Sequence, residues 1–122
     1  MEEGILYCFS TMSDPRLYKA GGTQNDLKTR LKSYLGPSRP RIVVFTKRVE
    51  RVWSAEKRML RLMKQCVSLR QRTDMGTEWF EAVTDDTEKV YQHLREIADV
   101  VQLSSFDLKS SFPLFSSSSS CD

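Results

Sequence analysis

The sequence predicts a small α+β protein, a mixed β-sheet flanked by helices in the order β-β-α-β-α-β-α, followed by a disordered Ser-rich C-terminal tail. Three observations predict it. Short runs at 4–10, 17–20, 41–49 and 78–83 are rich in branched and aromatic side chains. Stretches near 27–35, 52–69 and 85–98 repeat apolar residues at helical spacing. Beyond residue 101 neither period persists and serine dominates. The 122 residues suffice for one domain of roughly 100–200 residues. We place its core at 1–83, a helix packing on that core at 84–101, and the tail at 102–122.

Gly4 to Ser10 reads as the first strand and Leu17 to Ala20 as the second. Ser13-Asp14-Pro15 between them is turn chemistry, so the two form a hairpin that Gly21-Gly22 ends. Asn25 or Asp26 can cap a helix from Leu27 to Leu35, with Leu27, Leu31, Tyr34 and Leu35 as its apolar face. Gly36-Pro37 and Pro40 stop it. Arg41 to Val49 is the third strand, centred on Ile42, Val43, Val44 and Phe45. The helix from Val52 to Leu69 sets Val52, Ala55, Met59, Leu62, Met63 and Cys66 against Lys57, Arg58, Arg61 and Lys64 on the other side. Gln71 to Gly76 is a polar loop and Glu78 to Val83 the fourth strand. Asp85 with Glu88 resembles a capping box, ahead of Val90, Tyr91, Leu94, Ile97 and Ala98 on a last amphipathic helix. In the tail, Phe106, Phe112, Leu114 and Phe115 stand out as apolar residues that dock on the body, dock on a protein partner or form a sticky end.

Composition excludes several classes. No apolar run reaches the roughly 18 residues of a membrane helix. The opening Met1-Glu2-Glu3 lacks a basic-then-apolar signal layout. Cys8, Cys66 and Cys121 form neither a CxxC pair nor an even set, which argues against structural zinc and for a reducing, intracellular compartment. The net charge of +3 conceals an asymmetry: residues 1–83 carry 16 basic and 9 acidic side chains, and residues 84–122 carry 3 basic and 7 acidic. A basic body fits a polyanionic partner, and it also fits a solvated mixed-charge surface.

Nothing supports a Ser-His-Asp triad, since His93 is the one histidine and reads as a boundary residue of the last helix. No phosphate loop is present, and Gly21-Gly22-Thr23 is too short to be a nucleotide fingerprint. Two polar residues border apolar stripes instead: Glu56 near Val52 and Met63, and Arg30 near Tyr34. They face one shared cleft, or they form a half-buried ion pair or snorkel to water.

In chain order, Gly4-Ile5-Leu6-Tyr7, Leu17-Tyr18-Lys19-Ala20-Gly21-Gly22-Thr23, Arg30, Ala55-Glu56-Lys57 and Gly76-Thr77-Glu78-Trp79-Phe80 form a set. The chain thereby resembles the GIY-YIG endonuclease superfamily, in the phage and large-DNA-virus branch whose second motif carries lysine for the signature tyrosine. Ala20 and Leu60 depart from that pattern, where the branch has isoleucine and often histidine. The resemblance implies DNA phosphodiester hydrolysis with Tyr7, Lys19, Arg30 and Glu56 as catalytic residues and Tyr18 and Gly21 in support. A water attacks phosphorus, Tyr7 takes its proton with Lys19 as the neighbouring cation, and Arg30 grips the non-bridging oxygens. Glu56 holds Mg²⁺ or Mn²⁺. Lys28, Lys32, Arg39 and Arg41 are then candidates for tracking DNA phosphates, contacts that give affinity rather than sequence choice. The alternatives are a catalytically silent nucleic-acid-binding module of the same fold and a protein-interaction module.

Overall fold

The computed structural model describes residues 2–101. The expected tail, its phenylalanines and Cys121 lie outside the described residues. Among the described residues the architecture is α+β: one five-stranded antiparallel sheet and three α-helices. The strands are β1 (Gly4–Thr11), β2 (Leu17–Thr23), β3 (Pro40–Val49), β4 (Leu69–Gln71) and β5 (Trp79–Ala82), in the spatial order β3-β1-β2-β5-β4. The helices are α1 (Leu27–Lys32), α2 (Val52–Gln65) and α3 (Thr87–Val100).

The β1–β2 hairpin forms as the turn chemistry requires, with Tyr7 opposite Gly21 and Phe9 opposite Lys19. Alternation then sorts the side chains. Leu6, Cys8, Tyr18 and Ala20 point to the face that α2 and α3 cover, where Met59, Met63, Val90, Leu94 and Ile97 complete a continuous core. Tyr7, Phe9, Lys19 and Gly21 point to the opposite face. There Phe9 meets the edge of the Tyr34 ring at 5.0 Å between centroids. Cys8 and Cys66 are buried free thiols, and burial pushes both pKa values up, which makes them inert.

The structure corrects seven local expectations. Gly21-Gly22 does not end β2, which runs on to Thr23. α1 stops at Lys32, where Ser33 Oγ donates to the Arg30 carbonyl, and a 3₁₀ turn follows at Gly36–Ser38. The expected apolar face of α1 is not buried: Leu35 is 76% exposed, and Tyr34 leaves the helix to cover Tyr7 and Phe9. α2 ends at Gln65 and β4 replaces its last turn, because Leu69-Arg70-Gln71 can pair with Ala82-Glu81-Phe80 of β5. Ile42 and Val43 of β3 are exposed and only Val44, Phe45 and Val49 are buried, as expected of an edge strand. Asp86, not Asp85, caps α3 by accepting from the Lys89 amide, while Asp85 pairs with Arg16. His93 is also more enclosed than a boundary residue. It is 9% exposed and shares a 2.5 Å hydrogen bond with buried Ser68, fastening α3 to the segment that leads into β4. No helix among the described residues is long and apolar enough to cross a membrane.

Candidate functional site

β5 begins at Trp79 and pairs with β2 only from Leu17 to Lys19. One further backbone bond, Ala20 N–H to the Glu78 carbonyl at 3.0 Å, closes the ladder. The next amide on that side of β2 is Gly22, and it has no strand to bond. The Glu56 carboxylate reaches over from α2 and accepts it at 3.1 Å. This break in the sheet makes a cleft of about 390 Å³ lined by Tyr7, Gly22–Asn25, Arg30, Trp53, Glu56 and Glu78.

At its floor, Tyr7 accepts a hydrogen bond from Arg30 Nε at 3.1 Å and shares a 2.7 Å bond with the Tyr34 hydroxyl. The Arg30–Tyr7 bond holds the guanidinium even more firmly protonated. Burial, with the Tyr7 contact, pushes the Tyr34 pKa well above the ordinary tyrosine value. Tyr7 itself has no exposed surface. Gly21 makes this packing possible: a Cβ there would stand 2.6 Å from the Tyr7 hydroxyl oxygen.

The acidic half of the cleft contains a pair. Burial raises the Glu56 pKa, and the charge of the neighbouring Glu78 carboxylate raises it further. Lys19, only 7% exposed, forms an ion pair with Glu78. Its ammonium lies 5.4 Å from the Trp79 ring centroid and 5.9 Å from that of Tyr34. A buried ammonium requires a counter-charge, and Lys19 finds it in Glu78. The cation in contact with the Tyr7 oxygen is therefore Arg30, where the sequence reading expected Lys19.

Tyr7, Arg30 and Glu56 thus line one cleft, with Lys19 joined to it through Glu78. Tyr18 is elsewhere: it is buried in the core, its ring edge-on to Tyr91 at 6.4 Å, and burial pushes its pKa up to about 12. Lys28 and Lys32 are exposed on α1, the helix that bears Arg30. Arg39 and Arg41 are exposed at the far end of the β1–β3 ladder, near the Thr11–Pro40 pair. Leu60 is partly buried and packs on the core. Sequence reasoning misses Tyr34 and Glu78 as site residues: Glu78 stands inside the Gly76-Thr77-Glu78-Trp79-Phe80 motif, and Tyr34 reads as part of a helix face. Glu56 and Glu78 supply the hard oxygen donors of the cleft. Among the described residues no group of three or more His, Cys, Asp or Glu side chains is placed to hold a metal ion.

The profile of the T5orf172 domain matches residues 4–102, four-fifths of the chain and every element of the sheet and helices. The chain belongs to the T5orf172 domain family. T5orf172 domains occur in phage and other nuclease-like proteins. The match to this T5orf172 domain continues through α3. No curated protein and no solved structure matches the chain.

Proposed function

We propose that this T5orf172 domain is a metal-dependent endonuclease of the GIY-YIG type that hydrolyses DNA phosphodiester bonds. The observation that carries the reading is the meeting of Tyr7, Arg30 and Glu56, from β1, α1 and α2, in one cleft beside a break in the sheet. Arg30 reaches the Tyr7 oxygen through Nε, leaving the other guanidinium nitrogens to grip the non-bridging oxygens of a phosphate. A water attacks phosphorus, and Tyr7, acting in its anionic form beside that guanidinium, takes the proton. Uncovering Tyr7 requires the Tyr34 hydroxyl to give up its bond. Lys19 neutralises Glu78 and so permits a second carboxylate next to Glu56.

The donor set fits Mg²⁺ or Mn²⁺: such ions are bound through one or two carboxylates, with waters and substrate phosphate oxygens completing the shell. Glu56 would hold the ion, with Glu78 alongside. When bound, the ion neutralises the charge developing on the leaving 3′ oxygen. The protein's working place on this reading is inside a cell, where such DNA is found.

A DNA-binding module that does not cleave is the second reading, favoured by the full enclosure of Tyr7. One experiment separates the two. Wild-type protein is expected to nick plasmid in Mg²⁺ or Mn²⁺ and not in EDTA. Arg30→Ala and Glu56→Ala should each lower the rate by about 10²–10³, the scale of losing one preorganised electrostatic contact, with circular dichroism unchanged. Absence of nicking by wild type selects the binding module, and undiminished nicking by folded variants removes these residues from the chemistry.

A further inference from the structure

Trp53 lies one turn ahead of Glu56 on α2 and lines the same cleft as Arg30, Gln24 and Asn25. It shares its side of the helix with half-buried Glu56 and is 41% exposed, a large flat ring open to solvent at the cleft. Among the described residues its ring has no stacking and no cation–π partner. Trp79 differs: its face is already occupied by Lys19. Gln24 and Asn25 are exposed, and each amide presents both a donor and an acceptor.

We infer that Trp53 is a stacking platform for an unpaired nucleobase, so that the cleft takes DNA at a gap, flap, bulge or single-stranded end in preference to intact duplex. This rests on the reading of the cleft as a site for a DNA backbone. Inside a duplex the base faces are covered by their neighbours, and a protein ring reaches them only when the nucleotide is unpaired or flipped out. A cleft of about 390 Å³ is on the scale of a small-ligand pocket, roughly 300–1,000 Å³. It has room for a single nucleotide unit. Residues three apart on a helix are neighbours, about 5–6 Å between Cβ atoms. The base on Trp53 therefore belongs to a nucleotide at or next to the phosphate between Arg30 and Glu56. The Gln24 and Asn25 amides stand ready for the base edge.

The test uses the full chain in EDTA, so that no cleavage intervenes. Two hairpin oligonucleotides carry 2-aminopurine, in one opposite its pairing partner and in the other as a single unpaired base. Wild type should bind the unpaired probe several-fold more tightly by anisotropy and quench its emission. Trp53→Ala should bind it about thirtyfold more weakly, the middle of the range for one base–aromatic stack, and lose the quenching. Trp53→Phe should retain most of both. Equal binding of the two probes by wild type, equal binding of the unpaired probe by wild type and Trp53→Ala, or binding of neither probe overturns the inference. Plasmid nicking in Mg²⁺ is scored separately, so absent catalysis counts against the nuclease reading and leaves the binding result standing.

Discussion

Glu56 is half-buried between α2 and the unpaired end of β2, and burial together with the Glu78 charge raises its proton affinity. Between the ordinary carboxyl range and the raised value, the folded state holds more protons than the unfolded state. Stability from this group is therefore greatest in acid and falls as pH rises through that window. At neutral pH the ionised carboxylate weakens the fold it serves. Glu56→Gln keeps an acceptor for the Gly22 amide and removes the charge. It should raise the melting temperature at pH 7, with the gain shrinking toward pH 4; a variant that melts below wild type at pH 7 would contradict the placement. Tyr7, Arg30 and Glu56 were legible because each falls in an ordered motif. Glu78 and Tyr34 were not, because their roles depend on where a strand stops and where a short helix lets go. The sequence pairs Lys19 with Tyr7 across the hairpin, whereas burial gives it a counter-charge 59 residues away, Glu78.

Among the elements, β1 and β2 carry the site, and Gly21 is where they pack closely around Tyr7. Only a hydrogen at that position leaves room for the Tyr7 hydroxyl, which would otherwise lie 2.6 Å from a Cβ. Gly21→Ala should displace the Tyr7 ring from Arg30 and Tyr34. We expect a loss of about 1–3 kcal/mol in stability, the cost of overpacking, and a fall in nicking of at least tenfold. Denaturant melts and plasmid assays check the two effects, and a variant with wild-type values in both would show that the hydroxyl has slack. The hairpin was readable from alternation and turn residues. β4 was not: three residues are too few to display a period, and their pairing with β5 is a tertiary choice that overrode the continuing helical pattern. The apolar face of α1 misled for a related reason, since a helix of 6 residues is too short to lay a stripe on the core.

For the molecule as a whole, the excess of basic residues in 1–83 can be given a location. Arg30 lines the cleft, Lys28 and Lys32 are exposed on the same short helix, and Arg39 and Arg41 stand at the other end of the β1–β3 ladder. Three phosphate contacts from α1 give a slope of log affinity against log salt of about −2.7, or roughly a fortyfold loss between 50 and 200 mM salt. A titration of a nonspecific oligonucleotide across that range measures it, and a flat response would place the DNA elsewhere. The charge asymmetry was visible in the sequence. The spatial order of the strands was not, because β5 inserts between β2 and β4 through contacts that no local pattern encodes.

The Gly22 amide takes a side-chain carboxylate in place of the rung that a longer β5 would have provided. This peptide group therefore couples the geometry of the sheet to the charge state of Glu56. In an ¹⁵N-labelled sample its proton resonance becomes a gauge of that side chain, shifting when the acid is neutralised or captured by a divalent ion. The readiness of the cleft can then be followed in solution with no substrate and no turnover.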